Sequence, residues 1–247
     1  MASKRTTYRK WGIEYNDGKI LHDGKWIPEL LKEGNSKVGK TVWTWSMLPG
    51  KEGTCVCDCI GCYAEAGFYN MPSVKASLTA NMLLVETDID FFYRAISAQL
   101  ETIGSGTVRI HAAGDFATKN SAEYAATWHR IVKENPSFLL WTYTKVREYE
   151  HLFDDVPNGN IVKSVIDGIG LNFGHCGYII DTYKKLVAMG ANVYICRCGI
   201  DKNQHCENCT HCATAEFVLF LEHSTAYNAM KDPRYSELVE LIESQAE

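Results

Sequence analysis

Short runs of β-branched and aromatic residues alternate along the chain with longer stripes at helical spacing. The run 41–47, Thr-Val-Trp-Thr-Trp-Ser-Met, predicts a strand. Val74, Leu78, Met82 and Val85 share one stripe over 73–85. Phe92, Ile96, Gln99 and Ile103 share another over 88–103, with Gly104 as its stop, so both segments predict helices. Residues 108–111 predict a second strand, running into Ala112-Ala-Gly-Asp-Phe116. Asn120 or Ser121 then caps a helix that ends near Asn135-Pro136. A third strand is predicted over 138–143, a short helix over 146–153 and a fourth strand over 160–166. Helix 178–189 carries Ile179, Tyr183, Leu186 and Val187 on one face and stops at Gly190. Fifth and sixth strands are predicted over 192–196 and 217–221.

Strands alternating with helices predict an α/β fold with a parallel sheet and right-handed crossovers. Six such units suit an open, partial (β/α)6 barrel, whose site is built from the loops that follow the strands. Three regions result: an N-terminal extension over 1–40, the β/α domain over 41–225 with a Cys-rich loop at 196–212, and a C-terminal helix over 226–247. In the extension, Tyr8, Trp11, Ile13, Tyr15, Ile20 and Trp26 are spaced by Gly and Asp as in short strands or turns, and are expected to pack against the main domain.

Composition narrows the class. Hydrophobic residues are 46% of the 247 and charged residues 22%, which supports a sizeable core and excludes disorder as the main state. A net charge of −5 argues against a general nucleic-acid binder, although a local basic patch is compatible with it. No apolar run reaches the ~18 residues that span a membrane. The basic N-terminus (Lys4, Arg5, Arg9, Lys10) is not followed by an apolar stretch, so no secretory signal is expected. With ten cysteines, this predicts a cytoplasmic protein in a reducing compartment, where clustered thiols bind metal more often than they form disulfides.

The cysteines fall into two knots. Cys55, Cys57, Cys59 and Cys62 form one; Cys196, Cys198, Cys206, Cys209 and Cys212 form the other; Cys176 stands alone. Cys55, Cys59 and Cys62 have the spacing C-x3-C-x2-C, which can place three thiolates on three irons of a [4Fe–4S] cubane and leave the fourth iron open. Radical S-adenosylmethionine (SAM) enzymes use such spacing, with SAM on the open iron. Their common form has an aromatic residue before the third cysteine; here Gly61 stands there and Tyr63 follows, as a candidate adenine contact. The competing reading is a structural zinc site completed by Cys57. Cys206, Cys209 and Cys212 read C-x2-C-x2-C, the start of a ferredoxin-type run, but Glu216 occupies the usual fourth position. The fourth ligand is expected from Cys198, with Cys196 second. The alternatives are an auxiliary cluster or a zinc knuckle that pins the loop.

Gly34-Asn-Ser-Lys-Val-Gly39, Cys62-Tyr-Ala-Glu-Ala-Gly-Phe68, Asn81, Arg109-Ile-His-Ala-Ala-Gly-Asp-Phe116, Trp128, Pro136, Tyr143-Thr-Lys145 and Phe220-Leu-Glu-His223 together resemble the phage "gene product 88" family. The likeness runs over roughly residues 34–223. That family looks like a divergent branch of the radical SAM superfamily. The resemblance implies that Gly114-Asp115 occupies the place of the turn that binds the SAM amino group; the local alternative is a helix-entry cap. His111 is a candidate proton donor or a hydrogen-bonded core residue. Lys145 is a candidate partner for the SAM carboxylate or an anionic substrate. Cys176 is a candidate hydrogen-atom donor or a small buried apolar group. Glu222-His223 could line the site or close a structural hydrogen bond.

These readings converge on an oxygen-sensitive enzyme that cleaves SAM reductively and abstracts hydrogen from a substrate the sequence does not identify. It would need a reductant such as flavodoxin or ferredoxin and no membrane. A nucleic-acid substrate suits a phage setting but is not indicated by the net charge. The rival expectation is a non-catalytic interaction module stapled by zinc or a cluster.

Overall fold

A computed structural model describes residues 3–34, 38–56, 62, 64, 67–197, 204–221 and 235–245. The N-terminal segment opens with helix α1 (Lys4–Lys10), capped by the Ser3 side chain, which accepts from the Thr6 amide. A meander of β1 (Tyr15–Asn16), β2 (Lys19–His22) and β3 (Lys25–Pro28) follows. Its two turns are Asp17-Gly18 and Asp23-Gly24, all four residues at positive φ, as Asp-Gly hairpin turns require. Tyr8, Ile13 and Ile20 are buried in the same core as Phe91, Phe92 and Ile96, so the extension is built into the main body. The helix there lay outside the expectation of strands or turns.

The main sheet has five strands in the order β4 (Lys32–Glu33), β5 (Val42–Thr44), β6 (Gly106–Arg109), β7 (Phe138–Thr144), β8 (Gly159–Lys163). β4 is antiparallel to β5; β5 through β8 are parallel and lie in chain order. Helices α2 (Pro72–Thr87) and α3 (Ile89–Ile103) make the first crossover, and α4 (Ser121–Glu134) the second. Pro72 starts α2 without losing a needed N–H, and Asp88 caps α3 by accepting from the Phe91 amide. α3 is the central helix: of residues 91–100 only Arg94 is not buried. Its buried Gln99 accepts from the Leu31 amide and donates to the Leu31 carbonyl, both at 2.8 Å, which pins the strand-entry chain to the helix.

Fully buried Trp45, Phe92, Phe116, Tyr124 and Trp128 form the centre of this core. Each such side chain contributes on the order of 2–3 kcal/mol of burial free energy. The helix expected over 146–153 is only a 3-10 turn, Arg147–Tyr149. Tyr149 and Phe153 anchor that connection to the core, and the Asn158 side chain donates to the carbonyls of Val132, Asn135 and Phe138. Side-chain anchors thus replace a helix there.

The strand expected over 160–166 breaks at Ser164. Beyond it, β9 (Val165–Ile166) pairs with β10 (Gly170–Leu171). A second parallel sheet follows in the order β11 (Phe173–Gly174), β13 (Phe217–Leu221), β12 (Val193–Ile195). Helices α5 (Cys176–Ala188) and α6 (Ser236–Ser244) supply Ile179, Leu186, Leu238 and Ile242 to its core. β13 is central because Phe-Val-Leu-Phe-Leu is apolar on both faces, as an inner parallel strand must be. The first four parallel strands therefore follow chain order, whereas the last lies inside its sheet. The Lys163 amide donates to the Glu216 carbonyl, and the Lys163 ammonium reaches the Glu216 carboxylate at 2.8 Å, joining the two sheets.

Candidate functional site at the carboxyl ends of the strands

The chain leaving β5 stays zipped to the chain leaving β6. The Trp45 amide donates to the Arg109 carbonyl, the Ala112 amide to the Trp45 carbonyl and the Met47 amide to the Ala113 carbonyl. This carries residues 48–55 over the strand ends. The loop closes on itself, with Thr54 donating from its amide and hydroxyl to the Leu48 carbonyl and Cys55 from its amide to the Gly50 carbonyl.

Thr54 then ties that loop to two others. Its hydroxyl oxygen accepts from the Asp115 amide at 2.9 Å, and its carbonyl accepts from Ala117. The Asp115 carboxylate in turn accepts from the Phe116 amide at 2.8 Å, the Thr144 hydroxyl at 2.7 Å and the Lys145 amide at 2.8 Å. Gly114 fits here for two reasons. Its φ is +88°, and an added Cβ would lie 2.6 Å from the Thr54 hydroxyl and 3.0 Å from the Met47 carbonyl. The expected Gly-Asp turn is present, but both carboxylate oxygens serve the loop clasp and Asp115 is buried.

The electrostatics connect the first knot to this clasp. Burial, then the charge of Asp115, pushes the Cys55 thiol up to about 12; Cys62 adds to the rise and Lys145 opposes it. Asp115, Cys62 and Lys145 thus all act on the Cys55 thiol, which lies beyond the carboxyl end of β5. Without a bound cation, Cys55 is a thiol at neutral pH. Burial raises the Asp115 carboxyl, against the hydrogen bonds it accepts. Cys57, Cys59 and Tyr63 lie outside the described residues.

His111 takes φ +55° directly beyond β6, a backbone rarely adopted by residues other than glycine. It is 3% exposed. Its Nε2 is 2.8 Å from the Tyr124 hydroxyl and its Nδ1 3.0 Å from the Thr142 hydroxyl. The Trp45 indole N–H can only donate, and it donates to the Tyr124 oxygen. The Thr142 hydroxyl donates to the Tyr143 carbonyl, so it accepts from Nδ1–H, which leaves Nε2 to accept from the Tyr124 hydroxyl. Burial lowers His111 to about 3. It is a buried, neutral histidine with both nitrogens engaged. Cys176 begins α5 and is buried in the core of the second sheet with Ile179, Phe217 and Leu221, in the company expected of a small apolar group.

The second knot occupies a different place. Cys196 continues β12, with its amide on the Leu219 carbonyl. Cys206 opens one 3-10 turn, Cys206–Asn208, and Cys212 lies in the next, His211–Ala213. Cys212 is buried, and its sulfur is 2.9 Å from the Tyr143 hydroxyl of β7. Cys196, Cys206 and Cys209 pack against the same buried cluster of Val38, Val42, Trp141, Val162, Tyr194, Cys212, Ala215 and Val218. Cys198 lies outside the described residues, as do Glu222 and His223. Sequence reasoning missed Thr54, Thr144, Tyr143, Tyr194 and Asn160 as supporting groups. Only Thr54, beside Cys55, and Tyr143-Thr144, beside Lys145, carried a positional hint.

Sulfur-only donor sets suit iron–sulfur and zinc sites. Among the described residues, no three His, Cys, Asp or Glu side chains converge tightly enough to hold a metal ion. Of the first trio, Cys55 and Cys62 are described, and they share the strand-end region. Among the described residues, no helix is long and apolar enough to cross a membrane.

The fold and this region define an α/β protein with a cysteine-bearing loop after the first strand of a parallel run. A family model described as gene product 88 matches residues 29–168, more than half of the 247 residues. The chain belongs to this phage gene product family. The match takes in the first knot, Gly114-Asp115 and Lys145, and ends before Cys176 and the second knot. No curated protein and no solved structure matches the chain.

Proposed function

We propose that the chain is an iron–sulfur, SAM-dependent radical enzyme on a partial (β/α) barrel. Cys55, Cys59 and Cys62 would hold a [4Fe–4S] cluster. The observation that carries the reading is the clasp beyond the carboxyl ends of the parallel strands, where such sheets bind ligands: Thr54, the neighbour of Cys55, holds Asp115, and Asp115 holds Lys145. When bound, the cluster and SAM would supply one-electron cleavage of the sulfonium bond, giving methionine and a 5′-deoxyadenosyl radical.

The chain's own residues do the rest. Thr54 and Asp115 fix the loop that carries Cys55, and Asp115 holds the Lys145 backbone. The Lys145 ammonium offers a cation to the SAM carboxylate or to an anionic substrate. Tyr63 offers a ring to the adenine. Electrons would come from a flavodoxin- or ferredoxin-type partner in the cytoplasm. The substrate of hydrogen abstraction is related to phage biology, with nucleic acid one candidate.

A second reading, a zinc- or cluster-stapled interaction module, is favoured by one observation. Val56, Phe68, Met71 and Leu83 are exposed on and after the first knot, Phe68 at 77%. Anaerobic reconstitution with iron and sulfide separates the two. The enzyme reading expects a brown protein absorbing near ~400 nm with about four irons at the first knot. It also expects SAM to yield 5′-deoxyadenosine on reduction, and Cys59→Ala to abolish that turnover. Zinc without iron, or unchanged turnover in Cys59→Ala, overturns it.

A further inference from the structure

We propose that Cys196, Cys206, Cys209 and Cys212 form a four-thiolate centre for a thiophilic metal, zinc or an iron–sulfur cluster, with Tyr143 as its positioning residue. This concerns a site outside the family match and stands whether or not the first knot carries a cluster.

Three of the sulfurs come from one short loop. Cys206 opens one 3-10 turn, Cys209 follows it in an extended conformation with its amide on the Cys206 carbonyl, and Cys212 lies in the next turn. Cys196 arrives from another element, fixed by the ladder at the end of β12. All four pack at one joint, where β7, β8, β12 and β13 contribute Trp141, Val162, Tyr194 and Val218. The Tyr143 hydroxyl, 2.9 Å from the Cys212 sulfur, is a donor ready for a thiolate. Arg109 lies over the Tyr143 ring at 5.2 Å and brings a positive charge toward the site. Glu216, at the usual fourth position of a ferredoxin-type run, is instead paired with Lys163.

The surroundings show what such a centre would join. Asn160 of β8 donates to the carbonyls of Cys212 and Ala215 at 2.9 Å. Glu207 accepts from the Thr41 hydroxyl at 3.2 Å, and its amide donates to the Val38 carbonyl. The loop therefore touches the main sheet, the second sheet and the chain entering β5. A metal here would bind all three together. The four thiols line the joint without closing on a common point, so ligand identity must be read with metal bound.

The test uses the full chain with Cys55, Cys57, Cys59 and Cys62 replaced by Ala, which removes the first knot from the count. The protein is loaded anaerobically with zinc alone or with iron and sulfide. Metal and sulfide are then counted, and the sulfur shell is read by X-ray absorption. One zinc, or one iron–sulfur cluster, with an all-sulfur protein shell is expected; the two loadings identify which source the site takes. Cys196→Ser should lose most of the metal and Cys198→Ser should keep it. Tyr143→Phe should keep it but release it to a chelator about tenfold faster.

Because a variant can fail to fold, the loaded parent is also alkylated and mapped by mass spectrometry. Cys196, Cys206, Cys209 and Cys212 should be protected until a chelator is added, while Cys198 is labelled from the start. No metal uptake, protection of Cys198 with labelling of Cys196, or metal release from Tyr143→Phe at the parent rate overturns the assignment.

Discussion

Replacing Gly114 with alanine tests whether the clasp over the strand ends is as tight as its geometry implies. Two costs are separable. A backbone at positive φ costs a non-glycine residue roughly 1–3 kcal/mol. At Gly114, φ is +88°, and the new Cβ would also lie 2.6 Å from the Thr54 hydroxyl, 3.0 Å from the Met47 carbonyl oxygen and 3.2 Å from its carbon. Two of the three are backbone atoms and Thr54 is fully buried, so none yields readily. Overpacking of that kind adds about 1–3 kcal/mol. Gly104 is the internal comparison: its φ is +91° and its ψ −52°, with nothing within 4 Å of an added Cβ.

Gly104→Ala should therefore lose roughly 1–3 kcal/mol and Gly114→Ala roughly 2–6 kcal/mol. Urea unfolding at pH 7, extrapolated linearly, measures both, and the larger loss is a large share of a typical stability of about 5–15 kcal/mol. Displacing Thr54 also moves its neighbour Cys55, so iron uptake at the first knot should fall in Gly114→Ala and stay at the parent level in Gly104→Ala. Equal destabilisation by the two substitutions would refute the close-approach argument and leave only the backbone cost.

Two other outcomes follow from buried titratable groups. His111 has its folded value lowered to about 3, so the unfolded chain binds more protons, and stability should fall as pH drops from about 6.5 toward 3. The slope from this group approaches ~1.4 kcal/mol per pH unit, and His111→Gln should flatten the stability-versus-pH curve in that window by about one proton. An unchanged slope would show that His111 is already charged in the fold. Cys55, raised to about 12, should be alkylated at pH 8 at least about a hundredfold more slowly than a free thiol in metal-free protein, as mass spectrometry of timed samples would show; a rate near that of free cysteine would contradict its burial.

Periodicity found the elements whose own residues decide them. α2, α3, α4 and α5 lie close to the predicted ranges because stripe and stop are local signals, although the Asn120 side chain makes no cap hydrogen bond at α4. Where a distant partner decides, local reading fell short. The 146–153 segment has a helical stripe, yet Tyr149 and Phe153 are held by the core and only a 3-10 turn forms. The strand at 160–166 reads as continuous, but Ser164 turns back to the Thr144 carbonyl and frees 165–166 for another partner.

The same division runs through the chemistry. Two cysteine knots, a Gly-Asp turn after a strand and a neighbouring lysine are written in residue order, since thiol spacing and glycine's backbone freedom are properties of a short stretch. Which groups those residues serve is not. Asp115 is held by Thr54, 61 residues earlier, and Thr144, 29 later, and Cys212 meets Tyr143 across 69 residues. Hydrogen-bond partners at such separations are chosen by the stacking of parallel strands. The sequence alone thus determined the kind of donor atoms this protein carries, and the tertiary structure decided which are spent on holding its loops and which remain at a shared site.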